Sequence, residues 1–170
     1  FMKKENIYKL GLDQTAANFS QLSPLSFIER TAYTYPDHIS VIHREKKFTW
    51  EQTYSRCRRF ASALTKLGIR TGDTVAIMAS NTPEMYEAAF GIPMSGAVIN
   101  TLNIRLDPAM IAFCLNHGEA KVLITDTEFS ETIKLALKKL KQKIIVVDIV
   151  DNNNGSRDRL GSIEYEELLN

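Results

Sequence analysis

Thr74-Val75-Ala76-Ile77-Met78-Ala79, Ala97-Val98-Ile99-Asn100-Thr101, Lys121-Val122-Leu123-Ile124-Thr125 and Ile144-Ile145-Val146-Val147-Asp148-Ile149-Val150 are four short apolar runs within residues 72–150. Three longer segments of helical period separate them, over 83–95, 108–117 and 128–141. The runs are continuous rather than alternating and rich in Val and Ile, the pattern of strands buried on both faces. Repetition of strand, helix and strand predicts a mostly parallel sheet between two helical layers, a three-layer α/β sandwich with right-handed crossovers. Ligands of such sheets sit beyond the carboxyl ends of the strands. Here those ends are Ser80-Asn81-Thr82, residues 102–107 and Asp126-Thr127.

The turns agree with that assignment. Thr82-Pro83 and Asp107-Pro108 each set a capping side chain before a proline at the first helical position, where the missing N–H costs nothing. Gly118 reads as a helix stop, and Lys138, Lys139 and Lys141 as complements to the negative end of the next helix. Pro93 should kink its helix or end it early.

Outward from this block, residues 1–22 read as an N-terminal arm and 23–170 as one α/β unit, with Phe1 ahead of Met2 set aside. Ser23-Pro24 opens a helix whose stripe is Leu25, Ile28, Ala32 and Tyr35, ended by Pro36. Residues 39–43, a charged turn and 47–49 read as a β-hairpin. Thr49-Trp50-Glu51-Gln52 is a capping box. It leads a helix striped by Trp50, Tyr54, Cys57, Ala61 and Leu64 and stopped at Gly68. Arg56, Arg58 and Arg59 flank that stripe and read as a solvated face. The polar run 151–156 reads as a flexible loop and 163–169 as a last short helix.

With 21 basic and 20 acidic residues the formal charge is +1, so no net field attracts nucleic acid or anionic lipid. No apolar run approaches the ~18 residues of a membrane span, and the N-terminus lacks a signal peptide's apolar middle. Cys57 and Cys114 are isolated thiols outside any CxxC pattern. They read as small buried hydrophobes in a reducing compartment, which predicts a cytoplasmic location.

Chemical motifs are sparse. No GxGxxG follows a strand, and Gly91-Ile92-Pro93-Met94-Ser95-Gly96 lacks the Lys-Ser/Thr of a phosphate loop. Gly96 reads as helix-to-strand packing. His38, His43 and His117 fall on different elements, and Glu84, Glu87, Glu128 and Glu131 read as ordinary helix acids, with Glu84, Glu128 and Glu131 in first turns, where the dipole favours them. The residues alone show an α/β domain without a nucleophile, a base or a phosphate cradle.

Wording adds what spacing does not. Gly72-Asp73-Thr74-Val75-Ala76-Ile77, Asn81-Thr82-Pro83-Glu84-Met85, Gly96-Ala97-Val98-Ile99-Asn100-Thr101-Leu102-Asn103-Ile104-Arg105-Leu106 and Glu119-Ala120-Lys121-Val122-Leu123-Ile124 resemble the AMP-forming acyl-CoA synthetases of the adenylate-forming enzyme superfamily. Asn103-Ile104-Arg105-Leu106 with Ile111-Ala112-Phe113 is similar to its medium-chain fatty acid, benzoate and methylmercaptopropionate CoA ligase branch. The resemblance implies a ligase that activates a carboxylic acid with ATP and Mg²⁺ as an acyl-adenylate, then passes the acyl group to the thiol of CoA. It also implies a longer protein, since the family's phosphate loop, adenine-stacking motif, ribose-binding Asp and catalytic Lys have no counterpart here. The chain resembles an N-terminal part of such an enzyme, inactive alone, with no catalytic residue and no tightly bound cofactor of its own. Dimers are frequent in the family, so a homodimer is an expectation too. One residue carries a site expectation: Arg105, in the loop after residues 97–101, where a basic residue of the family meets CoA phosphate. Its guanidinium keeps its charge at any working pH and can fork onto phosphate oxygens. A rival reading is a stand-alone, non-catalytic flavodoxin-like module that binds a partner or nucleotide.

Overall fold

Local capping sets most element boundaries in the computed structural model, which describes residues 10–20, 22–151 and 158–170. The remaining positions of the expected arm and of the 151–156 loop lie outside the described residues. Ser23 accepts the Leu25 N–H at 3.2 Å and starts α1 (Pro24–Thr34). A hairpin follows, β1 (Ile39–His43) with β2 (Lys46–Thr49), turning at Arg44 with φ 53°. Thr49 and Gln52 cap α2 (Trp50–Lys66) reciprocally, at 2.9 and 3.3 Å. Such a cap is worth about 1 kcal/mol. Gly68 at φ +88° then lets the Ile69 N–H reach back to the Leu64 carbonyl at 3.1 Å, closing the helix.

The central block is β3 (Thr74–Met78), α3 (Pro83–Met94), β4 (Val98–Thr101), α4 (Pro108–His117), β5 (Ala120–Asp126), a 3₁₀ turn (Thr127–Phe129), α5 (Ser130–Leu137) and β6 (Ile145–Ile149). β7 (Ile163–Glu164) and α6 (Tyr165–Leu168) close the described chain. The sheet order is β4-β3-β5-β6-β7, parallel throughout. Alternation along β3 assigns its side chains to two cores. Val75 and Ile77 pack with Phe60 and Leu64 of α2, Ala88 and Ile92 of α3, and Tyr165 of α6. Ala76 and Met78 pack with Ile111 and Leu115 of α4 and Ile133 and Ala136 of α5. The expected helix–sheet–helix layering is present, with the helix and hairpin ahead of it.

Four local expectations change. α5 ends at Leu137 rather than Lys141, so Lys138 is its C-cap and Lys139 and Lys141 lie beyond it; Lys134 is the basic residue of its last turn. Gly118 caps α4 with an ordinary φ of −79°, and Glu119 takes the left-handed turn at φ 50°. What Gly118 supplies is room: a Cβ there would lie 2.9 Å from Asn100 Nδ2. α3 runs through Pro93 to Met94, because a proline in the last turn forfeits a single backbone bond. The final segment begins as a strand, β7, before turning helical.

Candidate functional site

β3 runs out to one side through α3 to the outermost strand β4, and the chain then crosses the opposite face through α4 to β5. The crevice between the carboxyl ends of β3 and β5 is therefore the switch point of the sheet, where such folds bind ligands. Ser80 and Asp126 flank it. Asp126 is buried and accepts the Glu128 N–H at 2.8 Å, which fixes the 3₁₀ turn, while Ser80 Oγ donates to Glu128 Oε2 at 3.3 Å. Burial pushes the Asp126 carboxyl above the usual carboxylate range, and the charges of Glu128, Asp151 and Glu84 add to the rise.

Beside the crevice, a cleft of about 550 Å³ opens between the hairpin turn and the ends of α3 and β6. His43, Arg44, Lys46, Thr82, Glu84 and Asp151 are among the residues that line it. Arg44 pairs with Asp151 at 3.2 Å, and Lys46 Nζ lies 3.8 Å from Glu84. Thr82 caps α3 as its position before Pro83 requires, accepting from the Met85 N–H at 3.4 Å.

Arg105 stands on the same edge, in the turn after β4, and is exposed. Its N–H donates to Asn103 Oδ1 at 2.9 Å. Asp107, the nearest acid in sequence, is committed to the cap of α4, accepting from Ala109 and Met110 at 2.8 and 3.0 Å. Among the described residues the Arg105 guanidinium has no ion pair, so its charge faces outward at the end of an edge strand. The histidines stay apart: His38 stacks on Tyr35, His117 on Phe113, and His43 lines the cleft. Among the described residues no three His, Cys, Asp or Glu side chains converge to hold a metal.

Two sequence readings are corrected on the α2–α3 face. Arg56 is not part of a solvated flank but 8% exposed, and Glu87 is not an ordinary helix acid but 1% exposed. Arg56 Nε and Nη2 donate to Glu87 at 2.5 and 3.2 Å, and Nη1 and Nη2 donate to Glu166 of α6 at 2.9 and 2.5 Å. Tyr165 Oη donates to Glu87 Oε2 at 3.0 Å. Burial pushes Glu87 above the usual carboxylate range, against the pull of Arg56. Arg56 itself is held above its ordinary value: burial opposes its charge, and the two carboxylates outweigh burial. The fork geometry with a third donor from Tyr165 decides for an ionised Glu87. Helical period gave no sign of this cluster, because α6 reaches α2 from 110 residues away.

Residues 28–166 match the family model described as AMP-binding enzyme. Acetate–CoA ligase CCL3 of Humulus lupulus is 44% identical over 170 aligned positions, covering 93% of this chain and 30% of that protein. Acetate/butyrate–CoA ligase AAE7, peroxisomal, of Arabidopsis thaliana is 42% identical with the same two coverages. Among solved structures, the anthranilate CoA ligase AuaEII in complex with anthranoyl-AMP superposes with a TM-score of 0.80 at 22% identity, over 92% of this chain and 29% of that one. At that identity the superposition speaks for the fold. The chain spans about 30% of the length of these curated relatives.

Proposed function

Because the chain belongs to the AMP-binding enzyme family, we propose that it is the N-terminal part of an ATP-dependent acid–CoA ligase. The reaction has two steps: a carboxylate attacks the α-phosphate of ATP to give an acyl-adenylate and pyrophosphate, and the CoA thiol then displaces AMP. The observation that carries the reading is the family match across residues 28–166, joined to two relatives above 40% identity whose names are CoA ligases. The substrate class is a carboxylic acid, as in the acetate and butyrate of those names.

In this reading residues 1–22 are an arm and 23–170 an α/β subdomain that supplies scaffold and one edge of the CoA path. Arg105 is the residue proposed to touch a CoA phosphate, since it presents an unpaired guanidinium beyond a strand's carboxyl end. The described residues offer no carboxylate cluster for Mg²⁺ and no glycine-rich cradle for ATP, so those groups fall to other parts of the parent. No helix among the described residues is long and apolar enough to cross a membrane. The two free cysteines support a cytoplasmic protein, and the peroxisomal name of one relative supports a peroxisomal one as the competing location. A homodimer of the parent stands as a proposal of the same kind. Reading the gene downstream of residue 170 tests the assignment. Continuation into a Ser/Thr/Gly-rich loop ending in Pro-Lys-Gly is expected, and a stop codon there would overturn it.

A further inference from the structure

Over residues 138–143 the chain carries four lysines in six positions, Lys138, Lys139, Lys141 and Lys143, all exposed. Lys46, Lys121 and Lys134 make the lysine ion pairs among the described residues, and none of these four takes part in one. The end of α5 does not explain so many. The helix stops at Leu137, and Lys134 already occupies its last turn, paired with Asp158 at 3.9 Å. Over the whole chain basic and acidic residues nearly cancel, so this run is a local concentration of charge rather than a share of a basic protein. Asn116 of α4 fixes its place, donating to the Lys139 carbonyl at 3.4 Å and accepting the Lys141 N–H at 3.0 Å.

Large apolar groups stand open beside the lysines. Lys141 lines a hollow of about 400 Å³ with Phe113 and His117 of α4, whose rings stack 5.4 Å apart and 5° from parallel. Phe113 is 59% exposed, and Leu135, one turn before Lys138 and Lys139, is 50% exposed. Glu119 is the acid that lines the hollow, and among the described residues it forms no ion pair with these lysines. Gln142 donates to the Ala120 carbonyl at the start of β5, at 3.2 Å, and β6 begins at Ile145. The run therefore lies at the amino ends of the central strands, away from the crevice at their carboxyl ends and from Arg105.

We propose that this end of the chain is a docking surface for an anionic lipid membrane, with the four lysines on the headgroups and Phe113 and Leu135 at the acyl boundary. Charge complementarity gives the sign of the partner: four ammonium groups without acids call for an anionic surface. The open ring and the leucine favour lipid over nucleic acid, whose outer backbone is charged throughout. Lysine stems can lie along the boundary while their ends reach the headgroups. Docked in this way, the crevice between β3 and β5 and the Arg105 loop face water. The inference goes beyond the ligase reading and does not depend on it.

The test is co-sedimentation of the intact protein with vesicles of phosphatidylcholine alone and of phosphatidylcholine mixed with phosphatidylserine. Binding to the mixed vesicles is expected, weakening as salt is added. Each lysine near an anionic surface is worth about fivefold in partition, so Lys139→Gln with Lys141→Gln should weaken binding about 25-fold. Phe113→Ser should weaken it as well. These side chains are exposed, so the thermal midpoints should stay where they are. Equal partition to the two kinds of vesicle, or binding that the lysine pair does not alter, would overturn the proposal. So would an RNA oligomer bound as tightly as the mixed vesicles with Phe113→Ser having no effect, since the patch would then be a general polyanion site. The same measurement on the 170-residue chain guards against a surface exposed only there: a chain that binds while the intact protein does not would also overturn it. If the gene ends at residue 170 the ligase reading fails by itself, and the vesicle measurement still judges this surface.

Discussion

Arg56 of α2 grips Glu87 of α3 through two nitrogens, at 2.5 and 3.2 Å, with both side chains withdrawn from solvent. The same guanidinium reaches Glu166 of α6 and lies over the Phe48 ring at 4.9 Å. One side chain thus ties the hairpin, two central helices and the last helix together. Removing it strands a buried carboxylate. Arg56→Ala should destabilise the chain by about 3–5 kcal/mol, whereas Arg56→Met with Glu87→Leu should recover most of that loss. Chemical denaturation of Arg56→Ala and of the double variant checks it; equal losses for the two would contradict it.

The cluster also predicts a pH dependence. Hydrogen bonding to Arg56, ahead of the opposing effect of burial, holds Glu166 below its usual 4.5. Glu166 therefore contributes stability that is present above 4.5 and lost as pH falls through its lowered value. Glu87, raised by burial, acts with the opposite sign and is most favourable below its unfolded value. The stability gap between the wild-type chain and Glu166→Gln should be constant near neutrality and close in acid. A gap that widened on acidification would contradict the assignment.

Gly91 of α3 packs directly against α2. A Cβ there would overlap Phe60 Cδ1 and lie 3.1 Å from the Cys57 carbonyl oxygen. Phe60 is fully buried, so the ring has nowhere to go. Gly91→Ala should cost about 1–3 kcal/mol as overpacking, read as a lowered denaturation midpoint.

The two thiols should behave differently. Burial pushes the Cys57 thiol up to about 12, and Cys57 is fully enclosed while Cys114 is half-buried. A thiol reagent applied to the native chain should modify Cys114 and leave Cys57 intact until the protein unfolds. Peptide mapping after labelling checks this.

The fold was legible wherever local chemistry and burial pattern point the same way. Thr82-Pro83, Asp107-Pro108 and Thr49 with Gln52 mark helix starts because their side chains bond backbone groups two or three residues on. Val75 to Met78 reads as a doubly covered strand because both faces are packed. Sequence-distant partners were not legible. β7 is two residues long and exists by pairing with β6, and Asp148 docks its approach by accepting the Leu160 and Gly161 N–H groups. Arg56 and Glu87 read as surface residues on a helical wheel, and what buries them is α6. Arg105 was singled out by its position after a strand and its family wording, and the cleft that Glu84 lines by neither.

Arg105 is proposed to bear on CoA rather than on ATP. Arg105→Ala in the parent should weaken CoA use by about 1.5–3 kcal/mol, the worth of a charge-assisted hydrogen bond, with acyl-adenylate formation nearly unchanged. Each half-reaction assayed separately checks this. Equal losses in both would make Arg105 part of the scaffold.

The most direct test is acid-dependent ATP–pyrophosphate exchange, measured on the purified 170-residue chain and on the intact protein that contains it. In the proposed reading the groups that stabilise the phosphates during transfer lie in the rest of the parent. Exchange by the intact protein with a carboxylic acid, followed by thioester formation on adding CoA, is expected, and none by the chain alone. Exchange by the isolated chain, or an intact protein that neither exchanges pyrophosphate nor forms a CoA thioester with any carboxylate, would contradict it.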